Sequence, residues 1–430
     1  MPQNSILAKL QERIDELTTA VEAQQRILDD LKTKRSEARR QLNLFLDPMA
    51  CFRSNCNPIY FSASRDSPML FLNVCRLWRD VALATPRLWA QLVVDSLPRG
   101  PNYVELCRLW LDRARTLPLS LTLSGSLVLE QSIQDLVTRH RHQLERLTLA
   151  LSSEAPKSLP LSCIAINLSE GSHLDSLKTL TIDATEQDVY LTSMREWLNV
   201  LRATAGLQSC LLIEAHFQEE GHSIQEVVEL NSMSDLHLGR PCEWAWVGRG
   251  GTSCAMLRRL TLPALKSLSL TDDIVNEEFL AFLSRSSPPL ESLNVAIPYG
   301  WTFNFISRCF RLVPSLVSLE LCVALGEAER YLPFLDLLKA SSNILPNLRE
   351  ITFCMDLDGT ASIDYDKVLQ MLVFRFISCP TRLESFALRF PDEQDRDFTA
   401  DLPNDQIKSA LQQLVKDGMK IYVGHHENLL

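Results

Sequence analysis

Glycine and positive charge are both scarce in this chain of 430 residues. Only 14 residues are glycine, which disfavours enzyme classes built on glycine-rich phosphate loops. Asp and Glu number 53 against 43 Lys and Arg, and a general nucleic-acid-binding protein usually has the opposite balance. No apolar run approaches the ~20 residues of a membrane span, and no secretory signal pattern opens the chain. These absences predict a cytoplasmic or nuclear protein with reduced thiols, and neither nucleic acid nor a membrane as a partner.

Residues that would carry chemistry are missing as well. Cys51 and Cys56 have no second ligand pair at zinc-site spacing, and the other cysteines follow no spacing rule. The segment 248–253 resembles a phosphate loop but lacks the Gly-Lys-Ser/Thr ending. His140 and His142 would diverge on a helix. We therefore predict no catalytic residue, no cofactor and no metal ion, and expect the protein not to be an enzyme.

The chain begins with a long heptad pattern. Residues 3–46 contain neither Gly nor Pro, and apolar or small residues recur in steps of three and four. This spacing predicts a coiled-coil helix over 1–46, whose apolar seam needs a partner helix. The partner could be a second copy, another protein or the body of this chain. Asp47-Pro48 ends the helix, since proline removes a backbone donor.

A second helical pattern follows at 67–92. Thr85-Pro86 divides it into a helix and a shorter one that carries Leu88 and Trp89. We expect Trp89 in a small helical core, while Trp78 fits a core position and a contact surface equally well. The apolar residues at helical spacing are Leu70, Val74, Leu77, Trp78, Val81 and Ala82.

This segment resembles the F-box proteins of mushroom-forming fungi. The residues that carry the resemblance are Val74-Cys75-Arg76, Trp78-Arg79-Asp80, Ala82, Thr85-Pro86 and Leu88-Trp89. A heptad helix before the box is common in that family, and 110–121 resembles the family's entry into its repeat domain. The resemblance implies that an F-box-like segment over 47–95 docks a Skp-type adaptor and, through it, a cullin. The implied adaptor contacts are Leu70, Val74, Cys75, Trp78, Val81, Pro86 and Leu88.

The region 47–66 departs from the family pattern. Family members open the box with a helix introduced by Leu-Pro and an acidic residue, and that helix supplies much of the adaptor-docking surface. Here Ser, Asn and Pro dominate, and the apolar residues have no period. Either adaptor binding is weakened, or an exon has been lost and replaced in the gene model.

From about residue 120 a short phrase of the form Leu-x-x-Leu-x-apolar recurs. Its last five starts are 25, 26, 32 and 35 residues apart, which approaches and then exceeds the ~20–29 residues of a leucine-rich repeat. Helical patterns at 190–201, 279–283, 331–338 and 368–377 separate the phrases, and 407–423 reads as a closing helix and strand. We therefore predict an α/β leucine-rich-repeat solenoid over 96–430. The phrases lie at 144–149, 177–182, 257–262, 265–270, 290–295, 316–321, 348–353 and 383–388, with weaker copies at 207–213 and 233–238.

Two functions follow from these expectations. The family resemblance implies a substrate-recognition subunit of a Skp–cullin–F-box ubiquitin ligase, which holds an unknown protein substrate on the strand face of its repeats. The alternative is a leucine-rich-repeat interaction scaffold without adaptor binding, because the first box helix is missing. An enzyme on the same architecture is a third class, for which we find no candidate residues.

Overall fold

The chain divides into two compact units. Unit 1 comprises residues 1–89 with 97–106, and unit 2 comprises 90–96 with 107–430. The predicted coiled-coil helix and the segment 47–66 lie outside the described residues, so the three-part division at 46 and 95 stays a prediction. The computed structural model describes residues 68–94, 103–125, 131–151, 158–159, 174–184, 189–191, 194–217, 226–239, 256–270, 276–297, 301–323, 331–355, 363–390 and 403–424.

The described part of unit 1 is helical. Helix α1 (Met69–Leu72) and helix α2 (Arg76–Ala84) are followed by a 3-10 turn (Pro86–Trp89). Thr85 has an extended backbone, with φ −107° and ψ 91°. Proline disfavours the helical conformation in the residue before it, so α2 ends where the sequence predicts.

Unit 2 contains short strands throughout its described length, and the sequence phrase accounts for most of them. Their bounds are β1 (Gln91–Val94), β2 (Leu119–Ser124), β3 (Leu144–Ala150), β4 (Ser158–Leu159), β5 (Thr179–Asp183), β6 (Val189–Leu191), β7 (Ser209–Ile213), β8 (Ala215–Phe217), β9 (Val228–Glu229), β10 (Asp235–Leu238), β11 (Leu260–Thr261), β12 (Ser267–Leu270), β13 (Ser292–Ala296), β14 (Ser318–Val323), β15 (Glu350–Met355), β16 (Ser385–Arg389) and β17 (Lys420–Gly424).

Twelve of these strands form one parallel sheet. Their order is β1-β2-β3-β5-β7-β10-β12-β13-β14-β15-β16-β17, so neighbours in the sheet follow one another along the chain. Two smaller parallel sheets, β4-β6-β8 and β9-β11, complete the described strands. Because each new strand joins the same edge, every step of the chain adds one strand beside the last.

Helices connect the strands. The described helices after the 3-10 turn are α3 (Tyr103–Arg113), α4 (Gln131–His140), α5 (Met194–Ala203), α6 (Asn276–Ser286), α7 (Phe303–Leu312), α8 (Leu332–Ala340), α9 (Tyr365–Ile377) and α10 (Asp405–Lys416). From α6 to β17, helix and strand alternate strictly in the described residues. The observed fold is therefore mixed α/β around a twelve-stranded parallel sheet.

Three of these helices begin at side-chain caps. Thr302 accepts a hydrogen bond from the Phe305 amide at the start of α7. Asp364 and Asn404 cap α9 and α10 in the same way, at 3.0 and 2.9 Å. Such caps satisfy one of the backbone donors that a helix start leaves open. These capping residues therefore define where α7, α9 and α10 begin.

Two rows of apolar side chains run across the whole sheet on its inner side. All of their residues are at most 6% exposed, because alternate residues of a strand point to the same face and each neighbouring repeat covers the last. The first row is Leu92, Leu121, Leu147, Leu180, Cys210, Leu236, Leu268, Leu293, Leu319, Ile351, Phe386 and Ile421; the second is Val94, Leu123, Leu149, Ile182, Leu212, Leu238, Leu270, Val295, Leu321, Phe353, Leu388 and Val423.

The repeated phrase predicts strands correctly but not their placement in every case. Each of the ten copies contains a strand, yet the copy at 257–262 forms β11, which pairs with β9 outside the large sheet. The next copy begins at Leu265 and forms β12 of the large sheet. Parallel neighbours need a crossover of a dozen or more residues, and the interval between β11 and β12 is too short for one.

The predicted helices are also largely confirmed. The patterns at 279–283, 368–377 and 407–415 fall within α6, α9 and α10, and the pattern at 331–338 falls within α8 apart from its cap, Tyr331. The prediction over 190–201 is wrong at its start, because Tyr190 and Leu191 lie in β6 between β4 and β8. Helices α3, α4 and α7 were not predicted.

A buried arginine joins two consecutive repeats near the end of unit 2. Arg375 on α9 is 2% exposed. Its guanidinium donates to the carbonyl oxygens of Leu338 at 2.7 Å, Ile344 at 2.8 Å and Leu345 at 3.3 Å. These are carbonyls at the end of α8 and in the turn that follows, which have no intrahelical partner. From α9, Arg375 thus supplies hydrogen-bond donors to the carbonyl groups at and just after the C-terminal end of α8 in the preceding repeat.

Within the described residues, no helix combines the length and the apolar character that crossing a bilayer requires.

Candidate functional site

Helix α2 exposes an apolar face. Leu77, Trp78 and Val81 are 69%, 50% and 56% exposed, and their spacing puts them on one side of the helix. Single exposed apolar residues are ordinary, but three large ones on one helix face make that face a candidate interaction surface. We call these three residues the α2 patch.

The α2 patch is held in place from within unit 1. The ring of Trp78 stacks on that of Phe71 in α1, with centroids 5.4 Å apart and planes at 28°. Arg79 donates from Nε to the Leu72 carbonyl at 2.9 Å, which ties the two helices a second time. Thr85 Oγ1 donates to the Val81 carbonyl at 2.7 Å. Trp78 therefore presents its remaining exposed area from a fixed ring rather than from a free side chain.

The second tryptophan of the segment is interior. Trp89 has 0% exposure, and its indole N–H donates to the carbonyl of Ala82, which is 1% exposed, at 2.8 Å. The expectation of a core position for Trp89 is confirmed. For Trp78 the sequence left a core position and a contact surface open. The ring is stacked on Phe71 and 50% exposed, so it combines features of both.

The predicted adaptor contacts do not share one environment. Val74, Cys75, Trp78 and Val81 are exposed, whereas Leu70, Pro86 and Leu88 are half-buried. Leu77, which has the highest exposed fraction of the α2 patch, was predicted as part of the helical pattern but not as an adaptor contact. Its position four residues before Val81 was available as a signal, but the helical spacing alone does not say which apolar side remains uncovered.

A second candidate surface lies on unit 2, on the side of the large sheet opposite the two apolar rows. We call the outward positions of its seven central strands, β5, β7, β10, β12, β13, β14 and β15, the central sheet face. Small hydroxyl side chains dominate it. Its residues are Thr179, Thr181, Asp183, Ser209, Leu211, Ile213, Asp235, His237, Ser267, Ser269, Ser292, Asn294, Ala296, Ser318, Glu320, Cys322, Glu350, Thr352 and Cys354.

The central sheet face has charge of one sign. It carries four carboxylates, at Asp183, Asp235, Glu320 and Glu350, and none of its outward strand positions is Lys or Arg. Basic residues at outward positions occur on the strands that flank it, namely Arg146 on β3, Arg389 on β16 and Lys420 on β17.

Two polar side chains at the middle of this face have unsatisfied hydrogen-bonding atoms. His237 and Ser269 are register partners on β10 and β12. His237 Nε2 and Ser269 Oγ are buried, and neither has a hydrogen-bond partner among the described residues. Burial lowers the pKa of His237, against a smaller opposing effect of the backbone of Gly239, so the ring favours its neutral form. A buried hydroxyl and imidazole nitrogen of this kind can still bind an incoming polar group.

One group of potential metal ligands occurs on the same face. Within the described residues, Glu320, Cys322 and Cys354 bring one ligand atom each within 4.8 Å of one another. Cys322 is disulfide-bonded, however, so it has no thiolate to offer a metal ion. Cys354 Sγ donates to Glu320 Oε1 at 3.2 Å, so these two side chains satisfy each other. Of the other candidates for chemistry in the sequence, His140 lies on α4, whereas Cys51, Cys56 and the segment 248–253 are outside the described residues.

Comparison with known proteins adds little to this geometry. No protein-family model matches the chain, and no curated protein matches it. Among solved structures, a crystal structure of a Bacteroides fragilis protein, a target of the Northeast Structural Genomics Consortium, is 13% identical over 67% of this chain and 73% of its own, with a TM-score of 0.34. A similarity of this size shows neither a shared fold nor a shared function.

Proposed function

We propose that this chain is a substrate-recognition subunit of a Skp–cullin–F-box ubiquitin ligase. The α2 patch is the observation that carries the proposal. It lies within the segment that resembles the F-box, and it exposes three large apolar side chains on one helix face. In this role the chain needs no catalytic residues, because the ligase chemistry belongs to other subunits.

The first step of the proposal is adaptor docking by α2. An apolar helix face binds by inserting into a groove of a partner, and such binding depends on a few large anchors. Trp78 suits an anchor, because its stacking on Phe71 lowers the entropy lost when a partner covers the ring. Leu77 and Val81 flank it on the same helix face. The skew of exposed apolar residues toward one side of α2 supports a single docking face.

The second step assigns unit 2 to target binding, as a leucine-rich-repeat solenoid. The strand phrase recurs, each repeat adds one parallel strand, and two leucine-dominated rows run the length of the sheet. Stacked repeats of this kind present a broad, rigid strand surface. We propose that the target protein binds on the central sheet face.

The competing function is a repeat scaffold that no longer binds the adaptor. It is favoured by the composition of residues 47–66, where the family has its first box helix and this sequence has Ser, Asn and Pro. The two functions differ in a single measurable property, which is affinity for a Skp-type adaptor.

Co-expression of the full chain with a Skp-type adaptor, followed by affinity purification and titration, measures that property. We expect a stoichiometric complex for the native chain. Leu77→Ser should weaken binding about tenfold or more, as expected for an interface hot spot. Leu83→Ser is the matched control, because Leu83 is an exposed leucine on the opposite side of α2, at 37% exposure.

Equal losses for Leu77→Ser and Leu83→Ser would contradict docking by the α2 patch. If the native chain does not bind, while a chain with a first box helix restored at 47–66 does, the ligase role fails for this sequence and the scaffold function replaces it. Circular dichroism of both variants separates loss of binding from loss of folding.

A further inference from the structure

We propose that the central sheet face binds a segment of the target protein that is rich in lysine or arginine. The inference rests on the proposed function, since the target is the protein that the repeat domain holds. It adds the chemistry of the bound segment and the place where it lies.

Charge is the first argument. The face carries Asp183, Asp235, Glu320 and Glu350 with no Lys or Arg at an outward position of its strands. Among these, Asp235, Glu320 and Glu350 form no salt bridge with any described residue. A segment bearing cations would complement this surface, whereas an acidic segment would meet charges of its own sign.

The extent of the face decides between a metal ion and a chain segment. Asp183 lies on β5 and Glu350 on β15, six strand steps away. At ~4.8 Å per step this is roughly 29 Å. A single ion cannot reach carboxylates so far apart, whereas an extended segment of about nine residues can cover the distance at ~3.3 Å per residue. The four carboxylates are therefore suited to successive side chains of one extended segment.

Buried, unsatisfied groups give an independent indication that something binds here. Ser269 is 8% exposed, and its Oγ has no hydrogen-bond partner in the part of the chain that the structure describes. His237 Nε2, on the neighbouring strand at the same register, has none either. Leaving such groups unpaired is costly, so a ligand that hydrogen-bonds to them gains free energy from binding. His237 shares β10 with Asp235, and Ser269 lies on β12, between β10 and the β14 strand of Glu320, so both are in the path of the proposed segment.

Fluorescence anisotropy of labelled peptides with the full chain tests the proposal. The probes are a short peptide of alternating lysine and serine and its counterpart with glutamate for lysine, each at low and at physiological salt. We expect binding of the lysine peptide alone, weakening as salt screens the charges. The variant Glu320→Gln with Glu350→Gln should lower the affinity about fivefold, in line with two partly exposed ion pairs.

The matched control removes two charges elsewhere in unit 2. Asp336→Asn with Asp366→Asn makes the same change in net charge on helices α8 and α9, where both side chains are exposed. The control should bind the lysine peptide as the native chain does. Equal loss in both double variants would show that net charge alone acts, and binding of the glutamate peptide would contradict the proposal outright. Ser269→Ala supplies a charge-neutral check, with a smaller loss expected.

Adaptor binding, measured on the same preparations, keeps the two proposals apart. A chain that binds the lysine peptide but not the adaptor retains the inference and loses the ligase role. A chain that binds the adaptor but distinguishes neither peptide retains the ligase role and loses the inference.

Discussion

The sheet of unit 2 and helix α2 of unit 1 carry the same apolar residue types in opposite environments. Leu319 on β14 is 1% exposed, and its register partners Leu293 and Ile351 are buried as well. Leu77 on α2 is 69% exposed, and Val81 is 56% exposed. Residue type does not account for the difference, because leucine occurs in both places.

The difference in exposure arises from the neighbours that cover each apolar face. Every strand of the large sheet has a neighbour with an apolar side chain at the same register, so each repeat buries the leucines of the last. In the described part of unit 1, α1 meets α2 through Phe71 and Trp78, and the 3-10 turn meets it through Trp89 and Ala82. Leu77 lies outside both contacts. Neighbouring repeats therefore cover each other's apolar side chains, whereas the α2 patch remains exposed.

The largest expected effect comes from truncating a leucine in each region. Leu319→Ala should lower the free energy of unfolding by about 3–5 kcal/mol, because it removes buried methyl groups and leaves a cavity between two repeats. Leu77→Ala should change it by no more than about 0.5 kcal/mol, as expected for an exposed position. Urea denaturation of the full chain, followed by circular dichroism, measures both values.

If Leu319→Ala and Leu77→Ala lowered the free energy of unfolding by similar amounts, Leu77 would be covered within the chain itself, and the contrast between the two regions would be wrong. In that case the α2 patch could not be the adaptor-docking face either.

The strand phrase shows how much of the fold could be predicted from sequence. Leu and Ile at two-residue spacing identify the inner rows, because a strand alternates its side chains between two faces. The short interval between the copies at 257–262 and 265–270 shows that the two cannot be neighbours in one parallel sheet, but it does not show which copy joins the large sheet and which pairs with β9. Sequence reasoning also missed β6, where Tyr190 and Leu191 continue the apolar spacing of α5 but pair with β4 and β8.

The candidate surfaces were less predictable than the fold. Helical spacing identifies Leu77 as apolar and facing one side of α2, but exposure depends on neighbours that spacing does not reveal. The carboxylates of the central sheet face are scattered over more than 160 residues of sequence between Asp183 and Glu350. They share one face of the sheet only because each strand adds to the same edge. Neither surface follows from a local motif.

The next largest effect concerns the reverse case, a charged residue that is buried. Arg375 on α9 is 2% exposed, whereas the apolar Leu77 on α2 is 69% exposed. Arg375→Met should lower the free energy of unfolding by about 2–3 kcal/mol, since the carbonyls of Leu338 and Ile344 lose their donor inside the protein. Arg389→Met is the control, because Arg389 is exposed on β16. Urea denaturation of both variants measures the difference, and equal small effects would mean that water satisfies these carbonyls instead.

The smallest expected effect concerns a histidine that unit 2 buries. His140 is 8% exposed, and burial lowers its pKa from the ordinary 6.5, while Asp112, with Oδ1 3.6 Å from Nε2, opposes the shift. The unfolded chain then binds the proton more readily than the folded one. Stability from this residue is therefore full above pH 6.5 and falls as the pH drops from there toward the folded pKa.

Urea denaturation across this pH range checks the sign. His140→Gln removes the titration, so its stability should fall less on acidification than that of the native chain, while above neutrality the gap between them should not change with pH. Asp112→Asn removes the opposing charge and should make the acid loss steeper. Only the slopes are compared, because Asp112 also pairs with Arg108 at 2.7 Å and its loss shifts the absolute stability. If His140→Gln instead made the acid loss steeper than in the native chain, attraction to the Asp112 carboxylate and not burial would govern His140, and this histidine would gain stability on protonation.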